Sequence, residues 1–278
     1  MKKIFLISIS FFLVSGYSFA QTVLDGLYVK EETPQRNIIP YTPLREADVM
    51  WNKRVWRVID LREKLNHPLY YPIEPSNGRI SFFEYIIKGI KEGPLITFNN
   101  LADDFTVPLT RAEALAQLEN VRTTSQEDID NPGTFYEITD TAKVESKNVI
   151  EYELKEDWFF DRQRSVLDVR IIGIAPIIMD VDPSTGEERG KKKLFWLYYP
   201  NCREVFANAE SFNRHNDAER RTYEDIFWKR MFASYITKES NVYDRKINEY
   251  VTNGLDQLLE ADKIKNEIMT FEMDMWHY

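Results

Sequence analysis

The chain has one cysteine, Cys202, and one thiol cannot close an internal disulfide. Histidine is almost as scarce. His67, His215 and His277 lie far apart, in no HxxxH or HExxH spacing, which disfavours a zinc site. The ten glycines are scattered, with no GxGxxG and no P-loop, so the common phosphate cradles are excluded. No GxSxG and no SxxK occurs, so no local nucleophile motif is present. Basic residues are outnumbered 36 to 45, and a net charge of -9 argues against nucleic acid as a partner. After residue 14 no apolar run approaches the roughly 20 residues that would insert into a bilayer. No cofactor is expected.

What is present begins with an export signal. Lys2 and Lys3 precede an apolar run from Ile4 to Val14, and Ser18-Phe19-Ala20 places small residues before a cleavage point. Residues 1–20 thus read as a secretory signal peptide without a lipobox cysteine. The mature chain of 278 less this segment is ordinary globular material, 43% hydrophobic and 29% charged over the whole sequence. Stability in an oxidising compartment then rests on core packing, with Cys202 as a small buried residue.

Residues 21–42 read as an extended leader, because Pro34, Pro40 and Pro43 each push their predecessor away from helix. Residues 43–278 read as one α+β domain, with a subdomain boundary near 123–134. Thr42 and Pro43 open a helix expected to run to Asn66, with Leu44, Ala47, Trp51, Val58, Leu61 and Leu65 on one face. Ser81 with Glu84 caps a helix over 82–92, stopped by Gly93-Pro94. Thr110 with Glu113 caps another to about Glu119, and the polar stretch 123–134 reads as a loop. The period then changes to two. Ile150, Tyr152 and Leu154 alternate with charges, a strand covers 167–179, and residues 194–199 form another. A hairpin spans 180–193, with Lys191-Lys192-Lys193 as a solvated strand edge. Asn216 with Glu219, or Thr222 with Asp225, caps a helix through about Thr237. An amphipathic stretch from Ile247 to Phe271 breaks at Asn253-Gly254. Asp48–Trp56 and Asp225–Phe232 look alike, but their alignment needs a gap inside a helix, so the likeness reads as coincidence.

Two groups of residues bear on function. Glu156, Asp157 and Asp161 flank Trp158-Phe159-Phe160, an acid–aromatic mixture that a sugar-cleaving site would share with an ordinary core edge. Asp180, Asp182, Glu187 and Glu188 fall short of a calcium loop and read as an acidic turn. Aromatic residues make up 14% of the chain, and several adjoin basic ones. Trp51, Arg54, Trp56, Arg57, Trp228, Lys229 and Arg230 are therefore candidate partner-interface residues, with core packing under basic stems as the other reading.

Long unusual stretches carry a resemblance. Residues 47–64 (ADVMWNKRVWRVIDLREK), 66–72 (NHPLYYP), 155–161 (KEDWFFD), 170–176 (RIIGIAP), 227–232 (FWKRMF) and 238–241 (KESN) resemble the GldN/PorN family in the same order. The resemblance implies a non-enzymatic periplasmic subunit of the Bacteroidetes type IX secretion and gliding motility machinery. It implies a ring with copies of itself and with a GldK/PorK-like outer-membrane lipoprotein, plus contact with the periplasmic part of a GldM/PorM-like inner-membrane component. No catalytic residue is attributed to that family. A peptidoglycan-binding or peptidoglycan-cleaving protein is the alternative.

Overall fold

A computed structural model describes residues 37–76, 78–127, 135–181, 188–214, 216 and 218–275. The signal peptide, most of the leader, the turns at 131–133 and 182–186, and His215 and His277 lie outside the described residues.

The architecture is α+β, built on a seven-stranded sheet. Its strands are β1 Val49–Asp60, β2 Thr97–Phe98, β5 Val149–Asp161, β6 Val166–Val181, β7 Glu188–Lys193, β8 Trp196–Tyr198 and β9 Tyr235–Glu239. The order is β2-β8-β6-β5-β1-β9, with β7 alongside β6, and every pairing is antiparallel. β3 Glu119–Glu127 and β4 Phe135–Lys143 make a separate two-stranded ribbon. The helices are α1 His67–Tyr70, α2 Phe82–Glu92, α3 Arg111–Ala116, α4 Tyr199–Ala207, α5 Tyr223–Trp228, α6 Ile247–Tyr250 and α7 Gly254–Asp274.

The local caps behave as the sequence predicts. Ser81 Oγ accepts the Glu84 N–H, while Ser146 Oγ donates to the Glu84 carboxylate. Gly93 ends α2 at φ 100°, a conformation a side chain resists. Thr110/Glu113 and Thr222/Asp225 both form complete capping boxes. The break at Asn253-Gly254 separates α6 from α7, and Asn253 Oδ1 caps α7 by accepting the Leu255 N–H.

Four expectations are corrected. The helix over 43–66 is instead a 3-10 turn at Glu46–Asp48 followed by β1. β1 lies between β5 and β9 and is covered on both faces, so its apolar residues fall on both sides and imitate helical spacing. Its Val, Ile and Trp content suits a strand. The loop over 123–134 is strand as far as Glu127 and again from Phe135; Thr123 and Thr124 are β-branched and favour extended backbone. The helix through Thr237 stops at Trp228, and β9 follows, because Ile236 pairs into the sheet opposite Arg57. The helix at 111 also ends a turn early, at Ala116. The likeness of 48–56 to 225–232 is coincidence, since one is a strand and the other a short helix.

The main core lies between the sheet and α2, α4 and α5. Phe82 is its hub: its ring lies 5.2 Å from Tyr152, 4.9 Å from Phe206, 4.9 Å from Tyr223 and 5.3 Å from Phe227. Such tilted and edge-on contacts add to the apolar burial itself. A second cluster joins Ile236 of β9 and Val55 of β1 to Ile247, Ala261, Ile264 and Ile268 of α6 and α7. Gly173 on β6 lets the Phe105 ring approach, since a Cβ there would come within 2.5 Å of it. Phe82→Ala is expected to lower stability by about 3–5 kcal/mol in urea denaturation.

Candidate interaction surface and its arginine–aromatic clusters

β5 presents charge on both faces. On one face Glu151, Glu153, Lys155 and Asp157 stand at alternate positions, and each meets an opposite charge. Lys191 Nζ lies 2.5 Å from Glu151, and Lys193 Nζ 2.5 Å from Glu153. Lys155 pairs with Asp103, and Arg54 clasps Asp157 through two bonds of 2.6 and 2.7 Å. Burial would raise the Asp103 carboxyl, but Lys155 and the Trp56 indole N–H outweigh it and hold it below its ordinary value. On the opposite face Tyr152 and Leu154 enter the core, and beside them Glu156 is fully buried. Arg230 donates to both of its oxygens, at 2.9 and 3.1 Å, and Trp158 Nε1 donates at 3.2 Å.

The seven candidate interface residues divide by position. Trp51 stacks on Phe271 of α7 with centroids 4.6 Å apart. Trp56 is buried, donates to Asp103 at 2.7 Å and carries Lys238 Nζ 4.4 Å from its ring centre. Arg57 is buried, donates to Ser234 Oγ and O, and burial draws its pKa down. Arg54 is half-exposed along its pair with Asp157. Arg230 is held on Glu156. Trp228 and Lys229 face outward; Trp228 is 40% exposed and Lys229 reaches back only to Asp225 at 3.5 Å.

Trp228 belongs to a second cluster, where the leader meets the domain. The Arg203 guanidinium lies 4.7 Å from the Trp228 ring and 4.2 Å from Tyr41. It donates to Glu224 at 2.7 Å and to the Ile39 carbonyl at 2.8 Å. Arg170 donates to the Thr42 carbonyl at 2.6 Å and lies 5.1 Å from the Tyr41 ring. Residues 39–42 are thus strapped onto the fold. A hollow of about 260 Å³ adjoins the strap, lined by Tyr41, Trp158, Leu167, Val169, Trp228 and Arg230. Burial raises the Glu224 carboxyl despite donation from Tyr199 and Arg203. Sequence reasoning missed Tyr41, Arg203 and Glu224 here. Arg170 opens a recognised stretch, but nothing local ties it to Tyr41.

The carboxylates of the acid–aromatic segment are all ion-paired: Glu156 with Arg230, Asp157 with Arg54, and Asp161 with Arg164 at 2.7 Å. Arg164, outweighing burial, holds the Asp161 carboxyl below its ordinary value. Cys202 is buried, and burial pushes its thiol up to about 12. Among the described residues no group of three or more His, Cys, Asp or Glu side chains could hold a metal ion, and no helix is long and apolar enough to cross a membrane.

The protein's sheet is thus laced by charge pairs, and the carboxylates of its acid–aromatic segment are taken up by arginines. Its family is defined by sequence: the family described as gliding motility associated protein GldN matches residues 44–277, nearly the whole chain past the leader, and the chain belongs to that family. No curated protein matches the chain.

Two outcomes are expected. The Cys202 thiol should stay unreactive towards Ellman's reagent at pH 8 in the folded protein and react on denaturation. Asp103 and Asp161 protonate less readily folded than unfolded, so the unfolded chain binds more protons in acid. Stability should therefore fall as pH drops below about 4, and Asp103→Asn should flatten that fall in thermal melts.

Proposed function

We propose that this protein is a non-enzymatic structural subunit of the type IX secretion and gliding motility machinery. It is exported to the periplasm and held at the outer membrane by a GldK/PorK-like lipoprotein. There it forms a ring with further copies of itself and contacts a GldM/PorM-like inner-membrane component. Membership of a gliding-motility-associated family supports the setting, and the N-terminal signal supports export. The observation that carries the structural role is the engagement of Glu156, Asp157 and Asp161 with arginines, which takes up the groups an acid–base mechanism would use. Trp228 and Lys229 are the outward members of the seven candidate residues and the first surface to examine.

The test is affinity purification of the tagged chain from solubilised envelopes, with mass spectrometry of the proteins retained alongside it. Co-purification of a GldK-like lipoprotein and a GldM-like protein is expected. Recovery of the protein alone would overturn the reading and return attention to peptidoglycan. Deleting residues 21–36 should leave the melting temperature within about 2 °C of the parent and weaken that co-purification. Extending the deletion through residue 42 should also lower stability, by about 1–3 kcal/mol, because Arg203 loses the Ile39 carbonyl and the Tyr41 ring.

A further inference from the structure

The long helix α7 is apolar on two sides. Its inner side buries Ala261, Ile264 and Ile268. On its outer side Leu255 is 65%, Leu259 59%, Met269 46% and Met273 60% exposed. Asp262 and Asn266 are exposed between them. These six residues follow a 4-3-4-3-4 spacing, the alternation of a two-helix seam. At about 100° per residue they fit a wedge of about 80° centred opposite Ile264.

The stripe reads the same from both ends in chemical kind. About Ile264 as centre, Leu255 mirrors Met273, Leu259 mirrors Met269 and Asp262 mirrors Asn266. We propose that it packs against the same stripe of a second copy of this chain, antiparallel about a two-fold axis at Ile264. In that register each leucine meets a methionine, whose unbranched thioether side chain adapts to it. At the centre each Asn266 amide, with two N–H donors, faces the acceptor-only carboxylate of the other copy's Asp262. Lys263 and Lys265 flank this centre and supply opposite charge. A parallel pair would set Asp262 against Asp262, so one polar couple selects both orientation and register. The contact is isologous. It leaves the outward Trp228 and Lys229 for other partners, and it stands whether or not a ring forms. A seam about 30 Å long is small for a specific interface, so dissociation at concentrations on the order of micromolar is expected.

Sedimentation equilibrium of the chain lacking residues 1–20 is expected to show a monomer–dimer equilibrium. Leu259→Glu with Met269→Glu should leave only monomer, with a melting temperature within about 2 °C of the parent. Cysteine cross-linking reads the orientation, and buried Cys202 does not compete. Leu259→Cys mixed with Met269→Cys should link. Neither alone should, because identical positions sit about 15 Å apart along the antiparallel pair. A monomer up to about 200 µM, a dimer indifferent to the two glutamates, or Leu259→Cys linking to itself would each overturn the proposal.

Discussion

Glu156 is a carboxylate with no exposed side-chain surface, placed on the core side of the sheet's central strand. A charge in that position is tolerated only when its partner is fixed, and leaving it unpaired costs several kcal/mol. The partner arrives from the end of α5. Arg230 follows that helix with φ 52°, in the left-handed conformation that usually falls to glycine or asparagine. Its N–H bonds the Phe227 carbonyl, and that of Met231 bonds Ile226, so the helix closes there. The backbone strain, roughly 1 kcal/mol or more, is offset by a two-pronged guanidinium grip that a glycine could not provide. The pair ties α5 to the sheet and sets where the chain turns back into β9.

The opposite face of β5 extends the same logic. Four alternating charges there hold three neighbours: β7 through Lys191 and Lys193, the loop at Asp103, and β1 through Arg54. Pairs of this kind add modest stability; Arg54 and Asp157 stand directly opposite in the register of β1 with β5, and the others tie β5 to elements beyond its own strand neighbours. The basic residues serve twice, since Lys155 and Lys238 approach the Trp56 ring and Arg230 the Trp158 ring. The high aromatic content is thus largely explained inside the fold. Arg203, itself buried, repeats the arrangement beneath the strap, holding the end of the leader with a backbone bond and a ring contact.

The features legible in the sequence are the local ones. The caps at Ser81, Thr110 and Thr222, the stop at Gly93 and the alternation of β5 are written within a few residues and appear in the fold. β1 was not legible as a strand, because both of its faces are covered and its apolar residues lose the period of two. The candidate site was half legible. Its arginines and tryptophans are conspicuous, but their roles depend on partners 103 residues away for Arg54 and 74 for Arg230. No local pattern distinguishes a ring that packs inward, as Trp56 does, from one that faces out, as Trp228 does.

The recognised stretches therefore act first as a frame for the fold. A double-mutant cycle at Glu156 and Arg230, read by urea denaturation, tests this most directly. Arg230→Met alone is predicted to cost about 3–5 kcal/mol by stranding a buried carboxylate. Adding Glu156→Gln should restore much of that, with a coupling energy of about 2 kcal/mol or more. Additive losses would contradict the account, since the pair would then not be what holds α5 to the sheet.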